Sequence, residues 1–117
     1  MALVNFDFTG AYSIDQGYEW RINVFYPGNV LGAGLRGEIR DGYGGDLLTA
    51  FRFDSQRFDA ALNRTQCPIY LARNQTNQLP LTPGRLLVYD IRIALAGRDS
   101  RLLMAGKLQV NPTLTQP

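Results

Sequence analysis

Residues 86–110 constrain the fold more than any other stretch, reading LLVYDIRIAL, then AGRDSR, then LLMAGKLQV. Two apolar-rich segments alternate in character at period two around a polar connection holding Gly97, Asp99 and Ser100, the pattern of a β-hairpin. Setting Leu95 opposite Leu102 pairs Ile93 with Met104, Ile91 with Gly106, Tyr89 with Leu108 and Leu87 with Val110. Asp90 then lies across from Lys107 and Arg92 across from Ala105, the opposite charges contributing roughly 0.2–1 kcal/mol. A slip by one residue would turn the whole apolar set outward, and that selects this register.

The preceding chain reads as more short strands. Phe6 and Phe8 alternate with polar neighbours over residues 5–9, and residues 11–14 offer a second short piece before a turn at Asp15, Gln16 and Gly17. Residues 18–28, YEWRINVFYPG, predict a central strand with Tyr18, Trp20, Ile22, Val24 and Tyr26 inward and Glu19, Arg21, Asn23 and Phe25 outward, ended by Pro27 and Gly28. Leu35, Gly37 and Ile39 are the inward set of the next strand, whose Arg36, Glu38 and Arg40 complement Glu19 and Arg21 if the two strands are neighbours.

A turn at 41–46 leads to a strand over 47–53, then to weaker ones over 57–63, with Phe58, Ala60 and Leu62 inward, and 68–73, with Ile69 and Leu71 inward. Residues 74–79 hold too few apolar positions for a packed helix and read as one helical turn or a crossing loop. Seven to nine short strands at intervals of roughly ten residues, with no helical periodicity over three turns, predict an all-β antiparallel sandwich. One domain is expected over 1–110, with 111–117 (NPTLTQP) as an extended tail that is either disordered or held by a partner.

Composition narrows the chemistry. The chain has no histidine, so the commonest general base and metal ligand are missing, and its one cysteine, Cys67, reads as a small buried hydrophobe. The net charge is only +2 with no cationic stripe, which argues against nucleic acid. Residues 1–8 carry neither a basic n-region nor a long apolar run, so no secretory signal or membrane span is expected, and the protein stays in the cytoplasm unless it leaves within something larger. Eleven of the twelve cationic residues are arginine, a bias shared by contact surfaces and by GC-rich genomes. The aspartates sit mostly beside turn residues and do not match a calcium-loop spacing, while DGYGGD lacks the lysine and helix of a phosphate cradle. No cofactor, metal or catalytic residue is expected.

Trp20 is expected in the core, over the space left by Gly106. On the outward faces, Phe25, Val88, Ala94, Leu103 and Ala105 stand beside Arg21, Asp90 and Arg92, and such a patch suits burial against another subunit. Phe25, Arg21, Val88, Arg92 and Leu103 are therefore the interface candidates. Tyr12, Tyr43 and Asp41, in loop-like positions, are the candidates for holding a sugar.

Residues 18–45 (YEWRINVFYPGNVLGAGLRGEIRDGYGG) and 76–110 (TNQLPLTPGRLLVYDIRIALAGRDSRLLMAGKLQV), followed by NPTLT, carry a resemblance. Their tryptophan-bearing strand, strand ending in Ile-Arg, Tyr-Asp strand, polar turn and Gly-Lys strand resemble the small immunoglobulin-like structural proteins of tailed phages and prophages. The N-terminal domain of baseplate upper proteins is among these. Where that family has Asp-Leu-Thr-Gly, this chain has Leu31, Gly32, Ala33 and Gly34. The resemblance implies an immunoglobulin-like sandwich acting as a non-enzymatic virion adaptor in tail, baseplate or fibre. It would be assembled in the host cytoplasm in several copies, docked to other tail proteins, and without a cofactor. The alternative is a module that binds host surface polysaccharide.

Overall fold

The computed structural model describes residues 4–82 and 85–113. Among these, eleven strand segments follow in chain order: β1 (Val4–Asn5), β2 (Ile14–Asp15), β3 (Trp20–Pro27), β4 (Gly34–Arg40), β5 (Leu47–Ala50), β6 (Arg52–Phe53), β7 (Arg57–Asp59), β8 (Arg64–Leu71), β9 (Leu87–Ala94), β10 (Arg101–Leu108) and β11 (Val110–Asn111). A helical turn, α1 (Arg73–Thr76), joins β8 towards β9. Apart from a separate two-stranded parallel pair of β11 and β2, the larger sheet has the order β1-β10-β9-β4-β5 and the smaller one is β3-β8-β6, with β7 also paired to β8. The two pack as a sandwich. Their order, β10-β9-β4-β5 against β3-β8-β6, matches the G-F-C-C′ and B-E-D strands of an immunoglobulin variable-type sandwich. The expected all-β architecture is the one the chain forms.

The inner faces explain why these residues make strands. Ile91 and Ile93 on β9, Ile39 on β4, and Ile69 and Leu71 on β8 are fully buried at every second position. Between the sheets the ring of Phe8 stacks on Tyr89 at 4.2 Å and meets Trp20 at 4.8 Å, with Phe51 against both Trp20 and Tyr89. Trp20 is a core residue as expected, and its indole N–H donates to the Tyr12 carbonyl at 2.9 Å. Gly106 does not make its room. A Cβ there would stand 2.2 Å from the Phe6 carbonyl oxygen, so this glycine admits the N-terminal segment instead. That segment runs parallel to β10, through Phe6 N–H to Ala105 O and Phe8 N–H to Lys107 O, both 2.9 Å.

The hairpin forms, but Ile91 faces Met104 and Tyr89 faces Gly106, two residues away from the expected register. A slip of two keeps every side chain on its face, so the alternation of polar and apolar residues could not choose between the two pairings. Asp90 consequently faces Ala105, Lys107 faces Val88, and the expected Asp90–Lys107 pair is absent. The register also shifts between Leu102 and Met104, and this β-bulge leaves Leu103 only 5% exposed within the core cluster.

Other boundaries moved for local reasons. β3 is an edge strand paired with β8 and not a central one, and β4 belongs to the opposite sheet, so the charges of β4 do not meet Glu19 and Arg21. The single strand expected over 47–53 is cut at buried Phe51, where the chain passes from one sheet to the other. The strand expected over 57–63 ends at Asp59, whose carboxylate accepts from the N–H groups of Ala61 and Leu62 and leaves Leu62 61% exposed.

β8 begins at Arg64 and runs through Pro68. The Asp54 N–H donates to the Pro68 carbonyl at 3.2 Å, so the imide nitrogen of Pro68 faces the gap between β6 and β7, where no ladder donor is needed. The helical turn or crossing loop expected over 74–79 is the helical turn α1, which begins at Arg73 and is held by two buried polar side chains. Gln75 Nε2 donates to Ala50 O at 2.6 Å and Thr49 Oγ1 at 3.0 Å; the Thr76 hydroxyl donates to Tyr18 O at 2.8 Å. The expected tail at 111–117 starts later than read, because Asn111 still pairs with Asp15; residues 114–117 lie outside the described residues.

Candidate functional site

Strand register divides the five interface candidates between two surfaces. Arg21 and Phe25 project from β3 on the outer face of the smaller sheet, whereas Val88 and Arg92 belong to β9, and Leu103 to β10, of the larger one. Leu103 is turned into the core by the bulge, and Val88 is 7% exposed, flanked in register by Arg40 and Lys107. The five do not form one patch.

The outer face of β3 and β8 carries a run of arginines and aromatic rings. The Arg64 guanidinium lies 3.9 Å from the centroid of Phe25, itself 45% exposed, and that of Arg21 lies 4.6 Å from the centroid of Tyr70. Arg21 also bonds Asp54 at 2.6 Å and approaches Glu19 at 3.7 Å; the bond to Asp54 raises its pKa further, so it is a fixed cation. An arginine held between a carboxylate and a ring is preorganised for contact with another protein, because little rotamer freedom remains to be lost.

The larger sheet presents a groove of about 330 Å³ on its outer face, lined by Glu38, Arg40, Asp90, Val88 and Ala105 and bounded by Tyr43 in the β4–β5 turn. Tyr43 is 75% exposed. Glu38 and Arg40 pair at 2.9 Å, and Arg92 stands 3.9 Å from Asp90. Of the other sugar candidates, Asp41 is held by Arg85 at 2.7 and 3.2 Å, which raises the Arg85 pKa, and Tyr12 packs edge-on against Phe6 beside a separate trough with Glu19 and Arg21. Only Tyr43 reaches the groove.

Other reactive groups are withdrawn. Cys67 is fully buried opposite Val24, and burial pushes its thiol pKa up. Tyr89 donates its phenol proton to the Phe6 carbonyl, and its pKa is raised by burial and secondarily by the charge of Asp7. Among the described residues no group of three or more His, Cys, Asp or Glu side chains is placed to hold a metal, and no helix is long and apolar enough to cross a membrane. No protein-family model matches the chain, and no curated protein matches it.

Sequence reasoning missed Arg64 and Tyr70, the two residues of β8 that stack against Phe25 and Arg21. They stand at 64 and 70, around a proline that made the strand appear to start later; the alternation of Thr65, Cys67, Ile69 and Leu71 was the signal available.

Proposed function

We propose that the protein is a non-enzymatic adaptor of a bacteriophage virion, docking other tail, baseplate or fibre proteins through the outer surface of its smaller sheet. The observation that carries this reading is the run of Arg64, Phe25, Arg21 and Tyr70 on one solvent-facing surface. Arginine and aromatic side chains are the types enriched at protein interfaces and at their energetic centres. The resemblance of residues 18–45 and 76–110 to immunoglobulin-like tail proteins supplies the setting. Phage particles purified from a strain carrying the gene are expected to contain the chain, and Phe25→Asp is expected to remove it from the particles while leaving the soluble protein folded. Particles that lack the wild-type chain, or that retain the variant in full, contradict this proposal.

A second reading, recognition of host polysaccharide, is favoured by the exposed Tyr43 ring beside a groove carrying Glu38, Arg40 and Asp90, since sugars stack on exposed rings and bond to paired polar groups. Glycan-array binding by the isolated chain that disappears in Tyr43→Ala is the result this second reading requires.

A further inference from the structure

The main-chain groups of β3 are half used. Asn23 pairs with Pro68, whose carbonyl is turned away from β3 to accept from Asp54. In an antiparallel ladder two opposed residues either exchange both bonds or both point away, so Asn23 too points away from β8. The bond from Gly28 N–H to Asn63 O at 2.8 Å gives the same parity from the other end of the strand. Arg21, Asn23 and Phe25 therefore direct their N–H and C=O groups to the free edge. Among the described residues no strand pairs with that edge.

Every other sheet margin is short. β1 and β6 have two residues each, β7 three and β5 four, whereas β3 has eight, without a bulge and with proline only at its last position. Short edges resist strand addition and a long regular one invites it.

We propose that β3 pairs antiparallel with β3 of a second copy of this chain about a two-fold axis at Asn23, joining the two smaller sheets into one. Asn23 lies near the middle of the strand, so this register pairs seven of its eight residues, Trp20 to Tyr26. It sets Arg21 opposite Phe25 of the partner subunit, and Phe25 opposite Arg21 of the partner subunit, so each ring gains a second guanidinium neighbour beside the Arg64 it already has. Behind them Ile22 meets Val24 of the partner subunit. Centring the axis on Arg21 instead would oppose two arginines directly. This places the axis at Asn23 and not at Arg21. The inference does not depend on the virion reading, because it concerns the chain with itself.

Sedimentation of the full chain across a concentration series is expected to show a monomer–dimer equilibrium. The amides of Arg21, Asn23 and Phe25 should gain hydrogen-exchange protection as the dimer fills, while those of Ile22 and Val24 stay protected at all concentrations. Asn23→Pro removes the donor at the axis in both copies and is expected to raise the dimer dissociation constant by about tenfold or more. Asn23→Asp and Asn23→Lys chains, each repelling its own kind across the axis, should be largely monomeric alone and pair when mixed, which covers the case in which the proline variant fails to fold. A wild-type chain that stays monomeric throughout, or a dimer indifferent to all three substitutions, overturns the proposal. Particles that lack the wild-type chain, with dimerisation intact, would count against the virion reading only.

Discussion

The larger sheet spends its N-terminal segment and its shortest strands on covering its margins, whereas the smaller sheet blunts one margin with the broken β6 and β7 and leaves the other, β3, as eight regular residues. Both sheets share one aromatic core, so the difference does not come from the interior. It lies in what is laid alongside. Residues 4–8 run beside β10, anchored by Phe8 in the core, and Gly106 lets them approach. Beside β3 the chain places the Tyr12 carbonyl against the Trp20 indole, but among the described residues no strand pairs with that margin.

If that anchoring is what closes the larger sheet, Phe8→Ala is the most damaging change. It removes a fully buried ring that touches Tyr89, Trp20 and Phe51, and is expected to cost about 3–5 kcal/mol in urea unfolding. A cost no greater than that of a surface substitution would mean that the N-terminal segment does not hold the margin. Gly106→Ala tests the same closure from the strand side. The added Cβ meets main-chain atoms of Phe6, which cannot swing away like a side-chain tip, so a loss of about 1–3 kcal/mol is expected, with increased amide exchange at Phe6 and Phe8. Gly37→Ala is the informative contrast, because its nearest contacts are the Phe51 ring at 2.8 Å and Ile91 Cγ1 at 2.9 Å, side-chain atoms of the core.

Tyr89→Phe sharpens the comparison through pH. The phenol bonds the Phe6 carbonyl, and losing that bond should cost about 1 kcal/mol at neutral pH. Because burial raises the folded-state pKa above the usual value of 10.0, the stability tied to this group is complete below pH 10. It falls as pH rises past 10, where the unfolded chain releases the proton and the folded one keeps it. Unfolding midpoints measured on either side of pH 10 should therefore drop more steeply for the wild type than for the variant. Equal slopes would remove Tyr89 from the account of how the N-terminal segment is held.

The inner faces of both sheets were legible in the sequence, since burial alternates at period two and Ile22, Ile39, Ile69, Ile91 and Ile93 all lie where alternation places them. Sheet membership was not. Alternation is the same whether the chain turns back beside its neighbour or crosses the core, so the passage at Phe51 left no turn residue to read, and nothing in the pattern told that β3 and β4 lie in opposite sheets. The candidate surface failed for the same reason: Phe25 and Val88 both face outward, on opposite sides of the molecule. Gln75 and Thr76 were illegible for another reason, being polar residues buried to tie the carbonyls at the end of β5 and before β3 rather than to fill space.

The two sides of β8 provide the smallest and most discriminating prediction. Towards β3 its ladder is continuous over eight pairs; towards β6 and β7 it is interrupted, and Pro68 stands at the interruption with its nitrogen facing the gap. If that orientation holds, Pro68→Ala breaks no existing ladder bond and only frees the unfolded chain, so it should lose only about 0.4–1 kcal/mol. A second proline one position earlier, Cys67→Pro, deletes a donor on the intact side and should cost more, about 1–3 kcal/mol or above. Similar losses for both, measured by urea unfolding, would mean that the ladder is not polarised as described. The inference that Asn23 faces the open edge would then rest on the Gly28 N–H bond to the Asn63 carbonyl alone.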